Sequence, residues 1–394
     1  MTSATPDGSK VTLDPQQTRV DTMVPVQTRS ERFHSTSPDD FPAVSGREAE
    51  WRLSPVNELR GLIEGPLDGG EYPISCEPPT GVQVAFIDAA DSDRGKVAEP
   101  EDRLAANAWS QVTRVLEVTV GSDTSETTRI LRDQMGNTPR AAHTLVRVRE
   151  NCHGVVIIES RGEALLAENV EIVLEQGASL EMVCLQEWAD DAIHYAAQFG
   201  RVGRDASLTH FVATMGGHIV VVNPSVELAE QGSTGALYGV YFAEQSQHIE
   251  DRVYVHHVGP ETTSRVSYKG ALHGSGARTV WVGDVLIGAD ATGTDSYEEN
   301  RNLVLSDGTR ADSIPNLEIK TGDIAGAGHA SATGRFDDEH LFYLQSRGIP
   351  EVQARRLVVQ GFLGEIILKL SDEQLVESLL ERVKQKLRET EVQS

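Results

Sequence analysis

His329 lies in Gly326-Ala-Gly-His-Ala-Ser-Ala-Thr-Gly334, a stretch with almost no side-chain bulk around the imidazole. Small neighbours let a metal ion or a second chain come close. A neutral imidazole nitrogen is a competent iron ligand in mixed Cys/His coordination. The plainer reading is a loop histidine that only hydrogen-bonds to nearby backbone, and residue types alone favour it.

Thiol chemistry is scarce. Cys76, Cys152 and Cys184 are the only cysteines, far apart and without a CxxC pair. They supply neither a disulfide framework nor the spacing of a zinc or cluster site enclosed by one chain. A reducing compartment fits, and any iron–sulfur role must be shared with a partner or use other ligands. Cys152-His153 suggests a nucleophile and its base, but neighbours in a strand point to opposite faces and no third member orients them. The same geometry separates His256 from His257 in an apparent strand over 253–258, and adding His248 makes no zinc spacing. Cys184 continues an inward alternation with Leu180 and Met182, which predicts a buried, inert thiol. The glycines of Gly322-Asp-Ile-Ala-Gly326-Ala-Gly328 lack the Gly-Lys-Ser/Thr ending and following helix of a phosphate loop. No Walker motif occurs anywhere, so any ATP hydrolysis falls to a partner. Lys269 reads as a strand lysine with its stem laid along apolar surface.

Short strands must position these groups. Between about residues 140 and 322, alternating apolar strings recur between Gly, Asn, Asp and Ser punctuation. Val170, Ile172 and Leu174 alternate with Glu171, Val173 and Glu175, and Leu180, Met182 and Cys184 repeat the pattern after Gly177. Arg204-Asp-Ala-Ser-Leu208 echoes Gly177-Ala-Ser-Leu180, and Gln231-Gly-Ser-Thr-Gly-Ala-Leu237 is a looser third echo, a spacing of roughly a rung and a half to two rungs of a wound sheet. A sandwich, a barrel or a β-helix would each suit such strands. Polar residues on one face of several strings suit an exposed outer wall.

Four regions are expected: a disordered tail over 1–45, rich in Ser, Thr, Pro, Asp and Gln; a mixed or helical region over 46–135; a β core over 136–325; and a helical region over 326–394. A short helix near Trp51 is expected to carry that ring into a packing site. Gly81-Val-Gln-Val-Ala-Phe-Ile87 reads as a strand. Gly348 marks a helix end before Pro350, and Ser371-Asp-Glu-Gln374 reads as a capping box. The last helices carry generous apolar surface, with Phe342, Leu357, Val358 and Phe362 as candidate partner contacts.

Composition narrows the class. The 60 acidic residues outnumber 35 basic ones for a net charge of -25, which repels phosphate backbones and anionic lipid surfaces. Neither nucleic acid nor membrane is expected as a partner. No leader-like segment or membrane-length apolar run is present, so a soluble cytoplasmic chain is expected.

Many separated motifs then point one way. His248-Ile-Glu-Asp-Arg252, Thr262-Thr-Ser264-Arg, Tyr268-Lys269-Gly270, Asn300-Arg-Asn302-Leu-Val-Leu-Ser306-Asp307, Ala311-Asp312-Ser-Ile-Pro315-Asn-Leu-Glu-Ile319 and Leu341-Phe-Tyr-Leu-Gln-Ser-Arg-Gly348 resemble the SufB/SufD family of iron–sulfur cluster assembly. The resemblance is strong over 240–370, thinner over 130–240, and limited to 48–55 before that. SufB-like chains carry a cysteine in the segment matching 302–307. Here Ser306 and the following histidine, His329, look SufD-like. Many SufD-like chains also have a cysteine two positions before that histidine, where this chain has Ala327.

The resemblance implies a right-handed parallel β-helix flanked by N- and C-terminal helical regions, and a non-catalytic scaffold. It implies pairing with a SufB-like subunit and with SufC, an ABC-type ATPase docked on the C-terminal helices, and a homodimer when isolated. It implies a transient iron–sulfur cluster shared with SufB at His329, none held tightly by the isolated chain. Whether a flavin takes part is left open. A carbohydrate-active β-helix enzyme is the rival: its paired carboxylates are affordable in so acidic a chain. Aromatic residues, the usual sugar-stacking platforms, are only 5% of the sequence.

Overall fold

The computed structural model describes residues 32–124, 126–335 and 338–392. From Gly136 to Gly334, successive strands enter two sheets in alternation, one of nine strands and one of eight. Each pairs in parallel with the strand two places earlier. The product is a parallel β-solenoid of about eight coils. Strands Val82–Asp88 and Arg114–Val120 open it as an antiparallel pair, and Ile324–Gly334 closes the smaller sheet.

The echoed sequences are its corners. Asn151, Gly177, Asp205, Gly232, Glu261 and Gly293 all have positive φ and stack one above another. Gly177 N–H donates to the Arg204 carbonyl at 2.8 Å, and Asp205 N–H to the Gln231 carbonyl at 3.0 Å. A Cβ at Gly177 would fall 2.3 Å from Asn151 Oδ1, and one at Gly232 2.2 Å from Asp205 Oδ1. The polar side chain of one corner thus fills the space over the next glycine, and left-handed backbone is tolerated at every level. Successive echoes are therefore one complete coil apart rather than a rung and a half to two.

Three apolar layers result. Val170, Ile172, Leu174, Leu180 and Met182 point into the solenoid. The outer wall, expected to be polar, is covered on both sides. Helices α1 (Val56–Glu64) and α2 (Arg103–Gln111) pack Leu59, Leu62 and Leu104 over Tyr195, Phe199 and Val221 of the larger sheet. Beyond α3 (Asp338–Ser346), α4 (Glu351–Ile367) and α5 (Glu373–Val392) lay Leu363, Ile367 and Leu379 against Phe211 and Phe242 of the smaller sheet. Asp102 caps α2 by accepting from Ala105 N–H at 2.9 Å. The cap of α5 is Asp372, which accepts from Leu375 N–H at 2.9 Å. Ser371, the expected cap, instead donates to Glu181 at 2.9 Å. Gly348, with φ +85°, ends α3 as expected.

Two boundaries move. Residues 1–31 of the expected tail lie outside the described residues, but 32–45 are packed. Phe41 and Val44 are buried, and the Arg103 guanidinium donates to the carbonyls of Pro38 and Phe41 at 2.6 and 3.0 Å. Trp51 sits in a turn rather than a helix and stacks on Tyr195 with ring centroids 6.3 Å apart. At the other end, the run around His329 is strand rather than loop. Its Gly and Ala composition is poor in strand formers, but register pairing with Thr294–Val304 overrides that preference.

Candidate functional site

Strands Arg310–Ile319 and Ile324–Gly334 are the last of the two sheets, so each presents an unpaired edge. Their residues are exposed or half-buried throughout, unlike those of every earlier coil. On the smaller sheet, several side chains facing the interior at this end are polar. Asn300 donates to the Tyr241 hydroxyl at 2.9 Å, and that hydroxyl donates to Asn302 Oδ1 at 2.7 Å. Asn302 in turn donates to Asn300 Oδ1 at 2.7 Å and reaches Thr333 Oγ1 at 3.4 Å. This closed amide–phenol ring ties the strand Thr294–Val304 to Thr234–Ala243, two strands earlier in the same sheet, and Thr333 links it to the final strand. It gives Asn300 and Asn302 a structural role, and Ser306 has another, accepting from Gly274 N–H at 2.7 Å.

His329 stands beside this ring on the interior-facing side of the final strand. It is in register with Glu298, and its side chain is 46% exposed through the open end. Its Nδ1 lies 3.7 Å from Glu298 Oε1. Glu298 is fully buried, and no side chain donates a hydrogen bond to either carboxylate oxygen. Burial and then the nearby Asp284 push its carboxyl up to about 8, with the Asn316 backbone amide holding it back. Sequence reading missed Glu298. The available signal was its two-residue spacing from Asn300 and Asn302, which puts a carboxylate on the interior face. Ala327 lies on the same face two positions before His329 and adds no ligand.

The remaining chemistry-bearing residues have structural partners. His257 is buried, with its two ring nitrogens 2.7 Å from Thr262 Oγ1 and 2.9 Å from Ser264 Oγ, and burial pushes it down to about 3. His248 meets Glu250 at 2.9 Å. His256 points the other way, so the three form no common site. Cys184 faces inward as expected, 3.5 Å from Gln198 Nε2, and burial pushes its thiol up to about 12. Cys152 precedes the strand His153–Gly162 rather than sharing it. Burial, then Asp123 and Glu175, raise its thiol, the opposite of nucleophile activation. Among the described residues, no group of three or more His, Cys, Asp or Glu side chains could hold a metal.

The partner-contact candidates divide. Phe342 and Leu357 are exposed, joined by Tyr343 and Val352, and so form an apolar surface on α3 and α4. Val358 and Phe362 are half-buried. Phe362 packs toward the β body, with Lys269 Nζ 4.9 Å from its ring centroid. Lys269 also donates to Glu365 at 2.6 Å, joining the solenoid to α4. No helix among the described residues is long and apolar enough to cross a membrane.

A cavity of about 480 Å³ lies between the N-terminal segment and the larger sheet, and it is the natural cleft for the carbohydrate-active rival. Four of its five carboxylates are engaged, Asp40 by the Ser35 hydroxyl at 2.5 Å, which leaves Glu50 single rather than in a pair. Asp102 accepts from Tyr195, Glu101 pairs with Arg32, and Glu250 pairs with Arg252 and accepts from Ser54. No free carboxylate pair faces across it from these residues, so the rival is not favoured.

Comparison with known proteins converges on this architecture. The family model described as SUF system FeS cluster assembly, SufBD core domain, matches residues 131–362. An iron–sulfur cluster assembly SufBD family protein of Mycobacterium tuberculosis is 45% identical over 373 residues, covering 92% of this chain and 94% of that protein. A Mycobacterium leprae protein of the same description is also 45% identical, over 372 residues, covering 92% of this chain and 95% of its own length. A Mycobacterium bovis protein of that description is 26% identical over 217 residues, covering 55% of this chain and 25% of its own length.

Proposed function

Since the chain belongs to the SufBD family of iron–sulfur cluster assembly proteins, we propose that it is the SufD-type member, a non-catalytic cytoplasmic scaffold for a nascent cluster. The observation that carries this reading is the open end of the solenoid, where an accessible imidazole sits beside two unpaired strand edges. Unpaired edges are templates for another chain's backbone. A SufB-like sister chain docked there would bring the thiolates that this end lacks, since Ser306 stands in the segment where SufB-like chains carry cysteine and Ala327 precedes His329. The cluster is transient cargo, shared across that junction and held tightly by neither chain alone.

The exposed apolar surface of Phe342 and Leu357 is proposed to dock the SufC ATPase, which supplies the nucleotide chemistry for which this sequence has no motif. Reconstitution of the three-subunit complex with His329→Ala tests the site. Cluster formation should fall at least about ten-fold, the scale of losing one metal partner, with complex assembly intact. Unchanged cluster formation in an assembled complex would remove His329 from the mechanism.

A further inference from the structure

We propose that Glu298 and His329 act together as a two-donor capture site for a divalent first-row transition-metal ion, Fe(II) in cluster assembly. This inference rests on the scaffold reading and adds to it the residue and the cargo form that the chain accepts on its own.

Geometry carries it. A separation of 3.7 Å between Nδ1 and Oε1 is too long for a hydrogen bond. It does suit two donors sharing one cation: with metal–donor bonds of about 2.1 Å it corresponds to an angle of about 120°. An imidazole nitrogen with one carboxylate oxygen selects iron- or zinc-like ions over calcium or magnesium.

The setting of Glu298 supports the same conclusion. A fully buried carboxylate without a side-chain donor is costly. Elsewhere in the solenoid, Glu168 is met by Arg132 and His194, and Glu250 by Arg252 and His248. Among side chains Glu298 has only the half-exposed His329, beside the Asn316 backbone amide, and a pair of that kind returns little. Room is nevertheless kept for the carboxylate: a Cβ on Gly283 would fall 2.5 Å from Glu298 Oε2. The imidazole is exposed at the open end and the buried oxygen lies 3.7 Å from it, so an ion arriving at His329 needs only side-chain movement to meet both. With only two donors from this chain, its other coordination positions stay open to a sister chain's thiolates and to sulfide.

The test is anaerobic titration of the full chain with Co(II), read by its visible ligand-field absorption, and competition with Fe(II) for the same site. The wild-type chain should bind one equivalent. Glu298→Gln, which keeps the shape but cannot release a proton to become a carboxylate donor, should weaken binding at least about ten-fold, as should His329→Ala. Glu298→Asp should restore part of the affinity. Absence of Co(II) binding by the wild type, or equal affinity in Glu298→Gln, overturns the inference. Cluster formation in the reconstituted complex separates the two readings. Normal Co(II) affinity in Glu298→Gln together with lost cluster formation in His329→Ala leaves the scaffold and removes the capture site. Lost Co(II) affinity in both variants with unimpaired cluster formation does the reverse.

Discussion

Replacing Glu298 by glutamine should make the metal-free protein more stable, by an amount that grows with pH. In the folded chain the Glu298 carboxyl sits at about 8, raised first by burial and then by Asp284, against an ordinary value of 4.5. Between those two values the unfolded chain has released a proton that the folded chain still holds. Stability due to this group is therefore fully present below 4.5 and is lost as pH rises toward 8. At about 1.4 kcal/mol per pH unit, the gap sets a ceiling of about 5 kcal/mol. The half-exposed His329 beside it and the Asn316 backbone amide reduce that, so about 2–3 kcal/mol is the expected loss. The glutamine side chain cannot ionise and carries none of it. Urea unfolding followed by tryptophan fluorescence, in chelator-treated buffer at about pH 5, 6.5 and 8, should show the variant and wild type nearly equal at the lowest pH. The variant should be ahead by about 2–3 kcal/mol at the highest. A difference that does not change with pH would mean that Glu298 is solvated, and the account of a buried carboxylate lacking a side-chain donor would fail.

Two further outcomes test the frame around the site. Gly270→Ala would put a methyl 1.7 Å from Tyr241 Cε2, forcing out the ring whose hydroxyl closes the Asn300–Asn302 network; a loss of about 3–4 kcal/mol is expected from overpacking and broken hydrogen bonds, read by the denaturation midpoint. Adding Tyr241→Ala should cost far less than the sum of the single effects. Phe342→Asp changes a side chain that is 73% exposed, so stability should move by less than about 0.5 kcal/mol while co-purification of the ATPase falls at least about ten-fold; retained co-purification would place that docking surface elsewhere.

The strands and corners of the solenoid were legible in the sequence because both signals are local, while the choice of a β-helix over a sandwich or barrel came from the family resemblance. Inward alternation at Leu180, Met182 and Cys184 is set by the strand period, and corners at Gly177, Asp205 and Gly232 are set by backbone that few residue types tolerate. The strand carrying His329 was not legible, since Gly326-Ala-Gly328 has loop composition and only the preceding coil makes it extend. Glu298 escaped notice because one Glu in Tyr297-Glu-Glu-Asn300 means nothing until the register is fixed. The packing of Phe41 and Val44, like the link from Lys269 to Glu365, joins residues far apart in the chain and leaves no periodic trace. Some family motifs have a structural rather than a chemical explanation. Ser54, from the early 48–55 segment, donates to Glu250 of His248-Ile-Glu-Asp-Arg252 at 2.9 Å, so the two stretches are one contact.

The interior changes character along the solenoid axis, and that change bears on why the end is open. Early coils enclose Val156, Ile158, Ile172 and Met182, whereas the last enclose Tyr268, Trp281, Glu298, Asn300 and Asn302. A self-contained solenoid finishes with a polar cap over an apolar interior, because exposed core and free strand edges invite aggregation. In this chain the helices that could have served as caps lie instead on the flat faces, with α1 and α2 on one sheet and α4 and α5 on the other. The final coil is left with its edges free, and on the smaller sheet its His329 lies in register with the buried Glu298 of the strand before it. An end that only had to tolerate water would gain from an exposed Glu298, which would hydrate fully, or from an apolar residue in its place. Burying the carboxylate while leaving the imidazole accessible is useful when something positively charged arrives between them and another chain closes over it. The same reasoning orders the events: cation first, through the open end, and partner second, since a docked partner would block the path.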